Sequence, residues 1–220
     1  MSKTCESKNS GTEPLLIKDC RLQDYRRTLQ LQYELRDKRR EGTVGDTVLI
    51  VEHNPVITLG ANKSKISLLS DVDELRAKGI DVVEIRRGGG ATAHNPGQLV
   101  FYPILDLKKH GLGISDYIRL LERIGTELLG RFNVKVKARK GYPGLWTEDS
   151  KIASIGVRVS KFITFHGMAI NVNNDLSIFD YIVPCGIGGV KMTSASELLG
   201  KKLDMDELKQ TLGELLKKYF

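Results

Sequence analysis

The sequence lacks the marks of several function classes. No apolar run approaches the roughly 20 residues that a transmembrane helix needs. The three cysteines, Cys5, Cys20 and Cys185, are too few for a disulfide framework and point to a reducing, cytosol-like compartment. Aromatic residues make up 6% of the chain and are scattered, with Trp146 the single tryptophan, so no base-stacking motif for nucleic acid is present. The histidines at 53, 94, 110 and 166 show neither HxH nor HxxxH spacing, and no CxxC accompanies them, which argues against a metal centre. No Gly-Lys-Ser/Thr follows a glycine run, and no GxGxxG opens a helix after a strand, so neither a P-loop nor a dinucleotide fold is expected. Repeats, low-complexity tracts and linkers are missing too. Residues 1–14 are polar, carry Glu6 and Glu13, and have no apolar core, so they read as a short disordered lead-in, with one domain over 15–220 and a cytoplasmic location.

What the sequence does carry is positive charge, glycine and a mixed α/β pattern. A net charge of +7 favours acidic partners, an acidic carrier protein among them. The stretch from Arg87 to Gln98 holds three consecutive glycines between two strand-like runs, Ile80–Ile85 and Leu99–Leu105. Glycine lets backbone turn to φ > 0 and lets a ligand lie against it, and Pro96-Gly97 reads as a turn. With Arg87, Thr92, His94 and Gln98 among residues that offer little but backbone, the stretch reads as the wall of a site. Around it the periodicities predict helices over 21–40, with Leu22, Tyr25, Leu29 and Tyr33 as its stripe, after Asp71, from Ser115 to Phe132, over 194–199 and from Asp204 to Phe220. Strands are expected at 47–52, where Val48-Leu49-Ile50-Val51 suggests burial on both faces, at 56–59, 80–85, 98–105 and 133–138. A hairpin is expected from 151–159 and 162–172, and a turn over 142–147. The fold class is α/β (α+β), a mixed and mainly antiparallel sheet flanked by helices.

Cys185 stands between Pro184 and Gly186 at the mouth of a second glycine-rich loop, 183–190, where backbone N–H groups can converge on developing negative charge. A lone cysteine also serves as a small buried hydrophobe. As a nucleophile it needs a nearby cation or base to favour the thiolate, and Lys151, Arg87, His94 and His166 are the candidates.

Four segments in this order resemble the lipoyl(octanoyl) transferase family. They are Arg87-Gly88-Gly89-Gly90-Ala91-Thr92-Ala93-His94-Asn95-Pro96-Gly97-Gln98, Lys151 to Gly156, Phe165-His166-Gly167-Met168-Ala169, and Pro184-Cys185-Gly186. The glycine motif is shared in looser form with lipoate and biotin ligases, whereas a lysine and a cysteine 34 residues apart match this family's catalytic pair. The resemblance implies the fold of the biotin and lipoate ligase catalytic domain, and transfer of an octanoyl or lipoyl group from acyl carrier protein to a lysine. The implied acceptors are lipoyl domains of 2-oxoacid dehydrogenase E2 subunits and the glycine cleavage H protein, with no cofactor, nucleic acid or membrane involved. It further implies that Cys185 takes the acyl group, that Lys151 lowers its pKa, and that acyl-binding segments fall on Arg87–His94, Ser154-Ile155-Gly156 and Gly167-Met168-Ala169. Asn95 stands where the family's commonest pattern has glycine; asparagine tolerates the left-handed conformation, so the turn can persist. Two other functions share parts of this pattern: an ATP-dependent lipoate ligase, which needs no thiol, and a non-catalytic acyl-carrier-binding module.

Overall fold

The computed structural model describes residues 14–62, 68–183 and 189–220. Two sheets share the chain. Strands β1 (Leu16–Gln23), β2 (Thr47–His53), β6 (Gln98–Ile104), β7 (Lys137–Arg139), β8 (Tyr142–Trp146), β9 (Ser150–Ser160) and β10 (Ile163–Asn171) form the large one, in the order β1-β2-β6-β10-β9-β8-β7. Strand β11 (Lys191–Met192) adds to β9 in parallel. Strands β3 (Val56–Leu59), β4 (Asp81–Glu84) and β5 (Ala91–His94) make a separate small sheet, β4-β3-β5. Among the described residues pairing is parallel only for β1–β2, β3–β4 and β9–β11, so the mixed, mainly antiparallel character expected from the pattern holds.

Both faces of the large sheet are covered, which is why β2 is apolar at consecutive positions. Val48 and Ile50 pack with α3 (Ile114–Arg131) and α5 (Met205–Tyr219), whereas Leu49 and Val51 face α1 (Tyr25–Glu41). The short helices α2 (Val72–Ala77) and α4 (Ala195–Leu199) complete the α-helical set among the described residues. Helix α5 presents Leu208, Leu212 and Leu215 to that core, and Asp204 caps it through the N–H groups of Asp206 and Glu207. Among the described residues no helix is long and apolar enough to cross a membrane.

Several expectations are corrected. Residues 21–23 belong to β1, so the first helix begins at Tyr25, after its cap Asp24, and Leu22 is exposed. The face α1 buries is largely polar: Tyr25, Thr28, Gln32 and Arg39. Three of its arginines are paired with acids, Arg26 with Asp81 at 2.9 Å, Arg36 with Asp37 at 2.9 Å and Arg39 with Asp46 at 2.6 Å. Gly113, not Ser115, precedes the long helix α3. The expected turn over 142–147 is strand β8, and only the end of 133–138 is strand, in β7. Within the supposed glycine loop, residues 91–94 are β5, whose backbone pairs with β3.

Candidate active site

The small sheet lies over the α1-facing side of the large one, and a narrow cleft with about 40 Å³ of free volume separates them. Its floor comes from β6, β9 and β10 through Val100, Tyr102, Ser154, Ile155, Gly156, His166, Gly167, Met168 and Ala169. Its roof comes from Arg87, Gly89, Gly90, Ala91, Thr92 and His94, and Tyr25 of α1 closes one side. Three segments far apart in sequence thus meet where the motifs placed a binding wall. Gly88 and Ala93 stand behind that wall. Gly88 N–H donates to Val157 O at 3.0 Å, locking the glycine run to β9, and Ala93 is buried in the core of the small sheet. Met168 offers the cleft backbone only, since its side chain packs on Gly125 of α3.

The glycines answer first to the protein's own backbone. A Cβ at Gly167 would run into Phe101 O, and one at Gly156 would lie 3.1 Å from Gly88 O, with the Arg87 side chain nearer still at 2.8 Å from its Cδ. Within 88–90 only Gly89 has positive φ, at +87°. Gly97 does too, at +89°, completing the Pro96-Gly97 turn. Asn95 itself is not left-handed, and the turn persists without that conformation. Its side chain instead ties the turn to residues 174–175. Nδ2 donates to Asp175 O at 2.8 Å, and Oδ1 accepts from Asn174 Nδ2 at 3.1 Å.

Polar groups in and behind the cleft are fixed by chains of hydrogen bonds. Arg87 is buried and donates to Thr58 O and Oγ1, each at 2.9 Å, and to Gly88 O at 3.0 Å. It therefore staples the glycine run to β3. Gln98 Nε2 donates to Ala93 O and Asn171 Oδ1, which leaves Gln98 Oε1 to accept from His94 Nδ1 at 2.7 Å. The neutral ring then carries its proton on Nδ1 and keeps Nε2 as an acceptor. Desolvation, with the charges of His53 and Arg87, holds the His94 pKa down at about 3, so the ring is neutral at physiological pH. Asn171 Nδ2 extends the chain to Thr193 O at 3.0 Å, and Thr193 N–H donates to Lys151 O at 3.0 Å.

Lys151 lies at the start of β9, 2% exposed, three residues before the cleft floor begins at Ser154. That spacing is about 10 Å of strand. Its Nζ donates to Pro143 O at 3.2 Å and sits 5.0 Å from the Trp146 ring centre. A buried lysine is a costly placement, and the carbonyl and the ring face compensate part of the lost hydration. Cys185 falls outside the described residues. The strand that follows its loop, β11, pairs Met192 with Lys151.

Comparison with known proteins decides the family. The model of the lipoyl protein ligase A/B catalytic domain matches residues 24–217. The octanoyltransferase of Syntrophobacter fumaroxidans is 41% identical over 197 residues, covering 90% of this chain and 86% of its own. The chain belongs to the octanoyltransferase family. Solved structures carry the same fold. P. falciparum LipL1 in complex with lipoate superposes with a TM-score of 0.72 at 18% identity, over 93% of this chain and 62% of that one. The bipartite lipoate protein ligase of Thermoplasma acidophilum, studied with its E2 lipoyl domain, gives 0.69 at 14% identity, over 94% and 82%. At those identities the likeness is one of fold, the one that the family resemblance implied.

Three residues in or behind the cleft carry no functional signal in the sequence. Tyr25, by its spacing one residue of an apolar stripe, stacks on His94 with ring centres 5.8 Å apart. His53, by its neighbours a strand-breaking residue, meets Tyr102 Oη through Nε2 at 2.8 Å. Thr58, the anchor of Arg87, is marked by nothing beyond lying in a short strand.

Proposed function

We propose that this protein transfers an octanoyl group from acyl carrier protein to a lysine of lipoyl domains, those of 2-oxoacid dehydrogenase E2 subunits and of the glycine cleavage H protein, through a thioester on Cys185. The observation that carries this reading is the buried Lys151, on β9 three residues before the cleft floor, in a chain 41% identical to an octanoyltransferase. A cation held there favours a nearby thiolate, and a cleft walled by backbone suits an unbranched chain.

In the first step the Cys185 thiolate attacks the thioester carbonyl of the donor, and the pantetheine sulfur leaves as the thiol, taking the proton of the Lys151 ammonium and leaving that lysine neutral. Backbone N–H groups of a glycine-rich loop are the fitting donors for the oxyanion. In the second step the ε-amine of the acceptor lysine attacks the acyl-enzyme, an amide forms, and the Cys185 thiolate departs. The proton lost by the amine passes to Lys151 in its neutral form. Burying an eight-carbon chain contributes about 0.8 kcal/mol per methylene, several kcal/mol in total.

The test is incubation with octanoyl carrier protein followed by intact-mass measurement. An octanoyl adduct is expected on the unaltered chain and on Cys5→Ala and Cys20→Ala, and none on Cys185→Ala. An adduct that persists in Cys185→Ala refutes the assignment.

A further inference from the structure

From Leu128 to Thr147 the chain carries five cations, Arg131, Lys135, Lys137, Arg139 and Lys140, and no acid, so the stretch is of one sign. Its middle is β7, the outermost strand of the large sheet. Lys135, Lys137 and Lys140 are exposed, and among the described residues none of their side chains makes an ion pair or a hydrogen bond. An edge strand needs a guard against pairing with another chain, and lysine serves that purpose. The opposite edge, β1, meets that need with Lys18, Arg21 and one acid, Asp19. Four cations between residues 135 and 140 exceed it.

The basic edge also stands close to the site. Lys137 pairs with Trp146 of β8, and Trp146 pairs with Lys151. Two strand spacings, about 10 Å, therefore separate β7 from that lysine. The Arg139 guanidinium lies 4.7 Å from the Trp146 ring centre and Lys151 Nζ lies 5.0 Å from it, so one indole meets both cations. Arg139 also donates to Glu148 O, which fixes its side chain. Beside the strand, Ala138 lines a shallow groove with Arg119 and Arg123 of α3. Of the nearby acids, Glu122 accepts from Gly144 N–H and Glu127 pairs with Lys218, which leaves Glu148 and Asp149 in the turn before β9.

We propose that the edge from Lys135 to Lys140 is the docking surface for the acyl carrier protein, an acidic partner that presents its octanoyl group on a pantetheine arm. The inference rests on the acyl-transfer reading for the identity of the donor. Unpaired lysines steer an acidic surface towards them and set its orientation on arrival. The arm favours the donor over the acceptor. A carrier resting on β7 reaches past two strands to Lys151 through a flexible arm, whereas a lipoyl domain must bring its own lysine up to the reacting carbon.

The test measures binding of holo acyl carrier protein, its arm unloaded, to the full chain by surface plasmon resonance at low and at high ionic strength. The variant Lys135→Glu/Lys137→Glu/Lys140→Glu leaves Arg139 in place against Trp146. It is expected to weaken binding at low salt at least about tenfold, chiefly through the association rate, and to flatten the dependence on salt. Lys18→Glu/Lys108→Glu/Lys109→Glu, at exposed positions away from β7, makes the same change in net charge and is expected to stay within about threefold of the unaltered chain. If the β7 triple variant does not fold, Lys137→Ala/Lys140→Ala decides. Equal weakening by the two triple variants, or none by the β7 variant, overturns the proposal. So does a β7 variant that loses affinity for an isolated lipoyl domain but not for the carrier, since the surface then belongs to the acceptor. Carrier binding that depends on β7, with no octanoyl reaching Cys185 or an acceptor, keeps the docking surface and removes the transferase reading. Octanoyl transfer from the carrier at unchanged kcat/KM in the β7 variant does the reverse.

Discussion

Gln98 Oε1 lies 2.7 Å from His94 Nδ1, and because Gln98 Nε2 is engaged elsewhere, this contact dictates which nitrogen of the ring bears the proton. Gln98→Glu keeps an acceptor for His94 but replaces the donor to Ala93 O and Asn171 Oδ1 with an oxygen. Two buried acceptors then face a third. The loss is expected to be about 2 kcal/mol or more of stability at pH 7, measured by urea denaturation. His94 should titrate at higher pH beside the new carboxylate, visible in its NMR ring signals. A variant as stable as the parent would mean that the amide orientation is the reverse of the one derived.

Three buried histidines give the fold an acid limb. His53 is held at about 4, and His94 and His166 at about 3, desolvation being the largest cause in each. Their folded pKa values lie below the unfolded value of about 6.5. Stability is therefore fully present above about pH 6.5 and is lost as pH falls towards the folded values, because the unfolded chain takes up the protons first. Each ring contributes a slope of up to about 1.4 kcal/mol per pH unit in that window. Denaturant midpoints measured from pH 7 to pH 4.5 should fall steeply, and His166→Asn should flatten the slope by about one ring's share. A midpoint independent of pH across this range would contradict the neutral, buried state of all three.

The glycines separate into two kinds by what surrounds them. Gly167→Ala would put a methyl into Phe101 O and near Pro103 Cδ, between two paired strands that cannot give way. An expected loss of about 3 kcal/mol or failure to fold follows. Gly130 sits exposed in α3 with ordinary helical φ and nothing near its missing Cβ. Gly130→Ala is expected to raise stability by about 0.5–1 kcal/mol. Thermal melts of the two variants check both signs at once.

Those glycines also show how far the sequence can be read. Local signals are strong where one physical cause dominates: the unbroken apolar run of β2, the leucine stripe of α5 and the turn in the β9–β10 hairpin. The glycine stretch is legible as a site wall, but its reason is not. Gly167 and Gly156 are required by contacts with Phe101 and Arg87, which are remote in sequence. Residues 91–94 do not read as strand, because four residues pair through backbone with β3 in a second sheet that no periodicity announces. Tyr25 and Gln32 look like parts of an ordinary helix face. Their partners, His94 and His166, become neighbours only once α1 lies across the large sheet.

Asn95 tests whether a family glycine would serve better. Its backbone is not left-handed, so Asn95→Gly relieves no strain, and the change removes two side-chain hydrogen bonds to Asp175 O and Asn174. The expected result is a destabilisation of about 1–2 kcal/mol, with added unfolded-state entropy contributing part of it. A stabilised glycine variant would show that the turn is strained after all.

Lys151 divides into two roles under the proposed mechanism, and a pair of substitutions separates them. The background is Cys5→Ser with Cys20 intact, since burial pushes the Cys20 thiol up and slows its alkylation. If the charge of Lys151 favours the Cys185 thiolate, Lys151→Met should slow iodoacetamide alkylation of Cys185 at pH 7, moving its pKa towards the free value of about 8.5. Lys151→Arg keeps a positive charge at the buried head of β9 but does not give up a proton in proteins. It should retain part of the thiol reactivity and the acyl-enzyme step, yet fail to form the amide. Single-turnover acylation set against full transfer to a lipoyl domain reads the two steps apart. Loss of both steps to the same degree in Lys151→Arg, with alkylation rates unchanged in either variant, would reduce Lys151 to a residue that positions β9 against Trp146 and Pro143.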